Sequence, residues 1–507
     1  MAGLVAGRVC VIGAGIAGLV TTKVLRGDGF DVTVFEKEAA IGGVWAPSRT
    51  YPGLRANNPR ETYAFSDHPY DRAVDDFPRA EQIREYLASY IERFQFGSSL
   101  HLSTEVISVS RTPSSEANHG GFAVVVRRKS RNDVTERLPF DFVVVCNGVF
   151  CEPNVPSIEG RGLFAGTILH SSQISDPEVA RDKRVVVVGA GKSALDCANF
   201  AAERARSVTL VLRAPHWIVP RYMFGKVRMD HLVMTRFSEL FLRYHHRSVF
   251  ERFLHGPANA VVRLWWSGLN RLMPRLAGMP PELVPETRLP LGFENAGIGG
   301  EFFETLRQGR VLAKRAQITA FRGREEIELD TAERIAADVV IFATGWQQGV
   351  DFLDVDLRQR LQKNGEFHFY RSILPPAEPR LGFIGYASST ACQFTAEIGA
   401  HWLSQCFRGE LSLPSVAEMD REIERVRRWI GETFPARRQG YFIGPYLAHY
   451  ADDLMRDMGM PVRRTSNVFR EYFAPFWPSR YATLGEERRL ARPVTIGQST
   501  SCFGRQR

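Results

Sequence analysis

Runs of apolar residues that end in glycine turns predict two strand–turn–helix units. Arg8-Val-Cys-Val-Ile12 lacks the polar alternation of a half-exposed strand and so reads as a strand buried on both faces. Gly13-Ala-Gly-Ile-Ala-Gly18 reads as a turn opening a helix to about Arg26, and Asp31-Val-Thr-Val-Phe35 as the next strand. The pattern returns 176 residues later. Arg184-Val-Val-Val-Val188 leads into Gly189-Ala-Gly-Lys-Ser-Ala194, a helix to about Arg204, and Val208-Thr-Leu-Val-Leu212. The spacing is far too long for a solenoid repeat, so two separate nucleotide-binding units are expected.

Two further buried strands enter glycine turns, Phe142-Val-Val-Val-Cys-Asn-Gly148 and Asp338-Val-Val-Ile-Phe-Ala-Thr-Gly345. They read as the crossings between one unit and a second inserted into it. The expected fold class is α/β, with two Rossmann-like dinucleotide-binding domains, the second inserted in the first, plus a helical basic insert. Residues 1–160 and 335–507 are assigned to the first domain, with C-terminal helices at 396–407 and 418–434, and 161–334 to the second. The insert, 221–290, carries apolar positions at helical spacing: Val233, Phe237, Leu240 and Phe241, then Leu264, Trp265 and Trp266.

Charge adds one feature. The chain of 507 residues carries +9, and residues 221–280 hold ten Arg or Lys against three Asp or Glu. No nucleic-acid module accompanies this excess, so a nucleic-acid partner is not expected. The segment reads as a lid on the second domain, or as a basic amphipathic surface for weak peripheral contact with an anionic membrane. The seven cysteines, at 10, 146, 151, 197, 392, 406 and 502, form no C-x-x-C pair and no zinc spacing, so no metal is expected. No uncharged apolar run approaches the roughly 20 residues that span a bilayer. Residues 9–20 are broken by three glycines and lack a basic leader, which argues against a secretory signal. A cytoplasmic location is expected.

The glycine turns carry the chemistry. Gly13 permits the tight turn, Gly15 lets a pyrophosphate approach the backbone, and Gly18 lets helix and strand pack closely. The helix start supplies unpaired N–H groups to phosphate. Glu36 closes the second strand and is placed to accept hydrogen bonds from ribose hydroxyls. Its charge would repel a 2′-phosphate, so the site suits FAD or NAD. At the second turn, Gly189 and Gly191 precede Ala194, and Arg213 stands where the first unit has Glu36. A guanidinium there suits the 2′-phosphate of NADPH, with Lys192 adding positive charge. NADH with a solvated Arg213 is the alternative.

Two dinucleotide sites imply hydride passage from nicotinamide to flavin, which leaves the electron acceptor to be found. Cys146 and Cys151 have a C-x4-C spacing, but they flank Asn147-Gly148, far from Gly42-Gly43. With no haem or iron–sulfur pattern, dioxygen is the expected acceptor.

Taken together, the motifs resemble the class B flavoprotein monooxygenases, which include flavin-containing monooxygenases and Baeyer–Villiger enzymes. The matching segments are the first glycine turn, Gly42-Gly-Val-Trp45, Tyr51-Pro-Gly-Leu-Arg-Ala-Asn-Asn-Pro-Arg-Glu61 and Phe65-Ser-Asp67. Also matching are Phe164-Ala-Gly-Thr-Ile-Leu-His170, which fits F-x-G-x-x-x-H, then Ala343-Thr-Gly-Trp346 and Thr395-Ala-Glu397. The resemblance implies that NADPH reduces FAD and that the reduced flavin takes up O2 as a C4a-(hydro)peroxyflavin. One oxygen then passes to a small organic substrate.

The resemblance also implies roles for single residues. Asn57 would stand by the flavin edge as the catalytic residue; its alternative role is to stabilise the turn before Asn58-Pro59. Gly43, Val44 and Trp45 would lie near the flavin, Val106 near adenine, and Gln393 toward the flavin ring. Ser193 joins Arg213 as an NADP-binding position, and Lys37, Thr344 and Gly345 fall at cofactor-proximal positions. His170 would be a hydrogen-bonding hinge residue, or simply a packed one. An Asn at position 57 leans toward oxygenation at nitrogen or sulfur. Ile174 stands where the family has an aromatic residue, which argues against a typical type I Baeyer–Villiger enzyme. Baeyer–Villiger or other carbon oxygenation, or a non-oxygenating flavin redox sensor, are the alternatives.

Overall fold

A computed structural model describes residues 7–113, 120–129, 134–363, 365–434 and 441–491. Its first sheet is built on β1 (Arg8–Ile12), β2 (Asp31–Phe35), β3 (Leu100–His101) and β7 (Phe142–Val145), with Leu381–Phe383 as the fifth strand. The order is Leu381–Phe383, β7, β1, β2, β3, and all pairings are parallel. Every residue of β7 is buried, as a strand covered on both faces requires. Helix α1 (Ile16–Gly27) connects β1 to β2, and α2 (Ala80–Phe94) precedes β3. An antiparallel meander of β4 (Thr104–Thr112), β5 (Gly121–Arg128) and β6 (Val134–Phe140) lies between β3 and β7 in sequence.

The second sheet repeats this plan. Its central strands are β10 (Arg184–Val188) and β11 (Ser207–Leu212), joined by α3 (Lys192–Ala202). Leu312–Arg315 pairs with β11, Val339–Phe342 with β10, and β9 (Thr167–His170) forms the far edge, all parallel. Val339–Phe342 therefore belongs to the second sheet, and the expected boundary at 335 falls too early. The chain rejoins the first sheet only at Leu381–Phe383. Four consecutive buried apolar residues fit the middle of either parallel sheet, so residue pattern alone does not name the partner.

The two crossings meet. After β7 the chain forms β8 (Glu152–Pro153), and after Val339–Phe342 it forms Trp346–Gln347, which pairs antiparallel with β8. The linkers between the two units thus make a two-stranded ribbon.

Residues 221–280 open with a short antiparallel hairpin, Tyr222–Met223 against Val227–Arg228, and continue as helices Asp230–Val233, Arg236–Glu239, Val249–Leu254 and Asn259–Ala277. Their stripe is real: Phe241 stacks on Trp265 at 4.3 Å between centroids, and the Trp266 indole N–H donates to the Phe241 carbonyl at 3.0 Å. Leu264 departs from it and is exposed. The insert pairs with all of its neighbours rather than closing only on the second unit: Arg221 with Glu301, Arg228 with Glu61 at 2.7 Å, and further residues with the C-terminal helices. Arg236 pairs with Asp452 and Glu471, each at 2.7 Å. Glu239 accepts from the backbone N–H of Ala448 at 2.8 Å, and the Trp429 indole donates to the Arg243 carbonyl at 2.7 Å. Acidic partners supplied from far along the chain answer part of the segment's charge.

Helix Cys392–Phe407 is almost wholly buried, and Phe407 stacks on Phe142 at 4.4 Å. Among the described residues no helix is long and apolar enough to cross a membrane. Cys146 and Cys151 are both free thiols rather than a disulfide, and Cys502 lies outside the described residues.

Candidate functional site

The first glycine turn is fixed by contacts that leave no room for a side chain. Gly13 has φ +106, its N–H donates to the Phe35 carbonyl at 2.8 Å, and a Cβ would fall 2.7 Å from the Cys146 carbonyl oxygen. A Cβ on Gly18 would fall 1.8 Å from the Gly13 oxygen. Gly15 and Gly43 face each other, since a Cβ on Gly43 (φ +59) would come within 3.1 Å of the Gly15 Cα. Gly15 is also the N-cap of α1 and offers no side-chain cap, so the first-turn N–H groups are open to an anion.

Glu36 follows β2 directly and is buried. Its carboxylate accepts from the Ala14 N–H at 2.7 Å and the Glu38 N–H at 2.9 Å. These bonds hold it rigidly at the turn and leave oxygen lone pairs for further donors. Val106 is buried in β4 opposite Val126, while exposed Lys37 lies 3.7 Å from Glu152.

Beside this cradle lies a polar–aromatic wall. The Trp45 indole N–H donates to the Tyr63 hydroxyl at 3.0 Å, and Arg84 donates to the Trp45 carbonyl at 3.1 Å. Val44, between Gly43 and Trp45, is half-buried. Gln393 is buried; its Oε1 accepts from the Cys392 thiol, and its Nε2 has no partner among the described residues. Asn58 is buried as well, donating through Nδ2 to the Thr390 carbonyl, with Oδ1 unpartnered. Orphaned buried amide atoms are costly unless something else satisfies them, and a ring edge rich in nitrogen and oxygen would do so. Asn57 is exposed. Sequence reasoning named Asn57 and Gln393 but missed Tyr63 and Asn58. Only the Asn-Pro pair at 58–59 marks the latter, and it reads equally well as a turn.

Two motifs distant in sequence come together behind this wall. Glu397 accepts from the Ser66 N–H at 2.8 Å and from its hydroxyl at 2.7 Å. Burial, reinforced by nearby Asp67, pushes the Glu397 carboxyl up to about 7.

The second turn follows the same logic with different charges. Gly189 has φ +139, and a Cβ there would fall 2.4 Å from the Ala343 oxygen. Gly191 caps α3 without a side-chain bond, and Ala194 is fully buried. Arg213 is the first residue after β11, matching the position of Glu36 after β2, and it is exposed. Lys192 differs from expectation because its ammonium is bonded to Asp196 four residues on, rather than projecting into the turn. The Tyr51 hydroxyl, from the first unit, donates to Asp196 at 2.9 Å and lies 3.4 Å from the Ser193 hydroxyl. Helix α3 is thus clasped at its N-terminal end by a residue of the first unit.

His170 ends β9 and is buried. Its Nε2 donates to the Gly345 carbonyl at 3.1 Å, and its Nδ1 faces the Ser172 hydroxyl at 2.9 Å. Burial lowers its pKa, which favours the neutral ring. Thr344 bonds the Asn154 carbonyl, and Asn154 N–H bonds the Gly345 carbonyl at 3.0 Å. These residues build the crossing ribbon, where Arg49 lies over the Trp346 ring at 4.6 Å. Ile174 is buried in the second core.

Comparison with known proteins places this arrangement among familiar relatives. A family model described as flavin-binding monooxygenase-like matches residues 6–275 and 292–466. Flavin-containing monooxygenase 3 of Canis lupus familiaris is 28% identical over 84% of this chain and 79% of its own length. Probable flavin-containing monooxygenase 1 of Arabidopsis thaliana is 28% identical over 96% and 98%. Dimethylaniline monooxygenase (N-oxide-forming) 2 of Rattus norvegicus is 28% identical over 94% and 89%. Among solved structures, S-allyl-L-cysteine S-oxygenase from Allium sativum superposes with a TM-score of 0.61 at 21% identity, covering 96% and 93%. The complex of OTEMO with FAD and NADP gives a TM-score of 0.65 at 19% identity, covering 89% and 98%.

Proposed function

The chain belongs to the flavin-binding monooxygenase-like family, and from that premise we propose that it uses NADPH and O2 to place one oxygen atom on nitrogen or sulfur of a small organic substrate. FAD and NADPH are its cofactors. The observation that carries the reading is the charge at two equivalent strand ends: buried Glu36 after the first turn and exposed Arg213 after the second. The carboxylate accepts ribose hydroxyls and rejects a 2′-phosphate, whereas the guanidinium attracts one.

FAD, when bound, supplies hydride acceptance and oxygen activation. Gly13, Gly15 and Gly18 with the start of α1 hold its pyrophosphate, and the facing Gly43 leaves space for it. Val106 would pack at the adenine end. Trp45, Tyr63 and Gln393 form a wall that would keep water from the reactive ring, and the Gln393 Nε2 would be a donor toward it. Asn57, exposed beside buried Asn58, would offer an amide N–H to this side of the site without adding charge. Gly189, Gly191 and Ser193 take the nicotinamide cofactor's pyrophosphate, and Arg213 takes its 2′-phosphate. Thr344, Gly345 and neutral His170 hold the ribbon on which the two cofactor sites approach each other, and Lys37 closes the same ribbon through Glu152.

The test is a panel of amines, thioethers and ketones scored for substrate-stimulated NADPH consumption and a product heavier by one oxygen. Amine or thioether oxygenation supports the proposal. Ketone oxygenation alone would select the Baeyer–Villiger reading, against which buried Ile174 speaks. Flavin reduction without any oxygenated product would select a redox sensor.

A further inference from the structure

We propose that His245, His246 and Glu422 form a binding site for a divalent transition metal of the zinc class, at the junction of the basic insert and the C-terminal helices. This goes beyond oxygen transfer and does not depend on it. The two histidines lie in the loop between helices Arg236–Glu239 and Val249–Leu254, and Glu422 lies on Val416–Thr433. Glu422 Oε1 is 3.8 Å from His245 Nδ1 and 3.5 Å from His246 Nε2. One ligand atom from each residue lies within 4.8 Å of the other two. Ligand atoms on a tetrahedral zinc, each about 2.0–2.2 Å from the ion, stand about 3.4 Å apart. The three groups are therefore nearly at closing distance.

Two of the three ligand atoms, His245 Nδ1 and Glu422 Oε1, are buried without a hydrogen bond among the described residues, although the Arg371 guanidinium lies 3.6 Å from Glu422 Oε1. The His245 side chain is only 4% exposed. A cavity of about 30 Å³ adjoins them, lined also by Tyr244, Arg371 and Asp453. That is space for a single water-sized species. The outer layer is built too. His246 Nδ1 lies 3.6 Å from Asp453 Oδ2, the carboxylate arrangement that orients metal-bound imidazoles. Asp453 is itself fixed by the Tyr244 hydroxyl at 3.0 Å and by Arg456 at 2.9 Å.

A rival cation stands in the same place. Arg425, three residues from Glu422 on the same helix, contacts both the Glu422 carboxylate and His246 Nε2. A guanidinium can only donate, so His246 Nε2 offers it a lone pair, the electron pair a metal needs. The Arg425 side chain is 52% exposed and can swing into solvent. Arg371, 3.6 Å from Glu422, is bidentate on Asp457 and already committed. Two imidazoles with one carboxylate favour zinc-class ions over calcium or magnesium, which take oxygen ligands. Metal binding would exchange Arg425 for a dication and tie the insert to the C-terminal helices.

The experiment is equilibrium dialysis of chelator-stripped, FAD-loaded full-length protein against Zn²⁺, with thermal melting in parallel. The expected result is one tight equivalent, a melting point that rises with Zn²⁺, and loss of both in His246→Ala and Glu422→Gln. Asp453→Asn should weaken binding by roughly 10–100-fold. Arg425→Ala lies at the surface, removes only the competitor and should bind Zn²⁺ more tightly than the native protein. The proposal is overturned if neither the native protein nor Arg425→Ala takes up Zn²⁺. Uptake unchanged by His246→Ala and Glu422→Gln would place the metal elsewhere on the protein and overturn it equally.

Discussion

At the scale of the residue, the legible positions were those whose chemistry is set by the backbone. Gly13, Gly18 and Gly189 have neighbours that exclude any side chain, and Glu36 and Arg213 each follow a strand end whose place in sequence is fixed by the turn before it. Lys192 was misleading, because its charge is taken by Asp196 one helical turn later, and which partner a long flexible side chain chooses is a tertiary matter. Arg213→Ala should raise the KM for NADPH by roughly 10–100-fold, the loss of a charge-assisted bond of about 1.5–3 kcal/mol, and leave NADH turnover unchanged. Steady-state kinetics with both nucleotides measures this; an equal effect on both would remove Arg213 from the 2′-phosphate. Asn57 is exposed, so Asn57→Ala should keep FAD content and stability while more NADPH ends as hydrogen peroxide. Comparing peroxide released with NADPH consumed checks it, and unchanged coupling would return Asn57 to a turn-forming role.

At the scale of the element, the strands were readable because strands buried on both faces are continuously apolar, as β7 and β10 are. Their partners were not: Val339–Phe342, read as a crossing and grouped with the first domain, pairs with β10 of the second sheet. The insert's helical stripe was visible, but its docking was not, since the residues that answer its charge include Asp452 and Glu471, more than 200 positions away. Helix Cys392–Phe407 carries a consequence for pH. Glu397 on this helix has a folded-state pKa near 7 against an ordinary value of 4.5, so the folded protein binds the extra proton. The stability this confers is complete below about pH 4.5 and is lost as pH rises through 7. Glu397→Gln carries no charge and can still accept from the Ser66 N–H through Oε1 while its Nε2 donates to the Ser66 hydroxyl, reversing that bond. Its stability relative to the native protein should therefore grow from pH 5 to pH 8, by up to about 3 kcal/mol. Urea unfolding at the two pH values measures the gain, and a constant difference would show that the carboxyl titrates normally.

At the scale of the whole molecule, the existence of two nucleotide units and their nesting could be read from two strand–turn crossings. The clasp between them could not. Tyr51 belongs to a stretch recognised only by its family likeness, yet its hydroxyl reaches Asp196 on the helix that begins at the other nucleotide turn. Contacts of this kind join residues 145 positions apart and leave no periodic trace. The same holds for the union of Ser66 with Glu397, and for the histidine–glutamate cluster between the insert and the C-terminal helices.

The antiparallel pairing of Glu152–Pro153 with Trp346–Gln347 means that each strap between the halves splints the other. Cys151 N–H bonds the Gln347 carbonyl at 3.2 Å, and Asn154 N–H bonds that of Gly345 at 3.0 Å. A protease cutting once within residues 148–151 would sever the backbone without parting the pieces. Clipped material should elute from a sizing column as one particle in native buffer and resolve into two fragments only in detergent; early separation in native buffer would mean that the straps act singly.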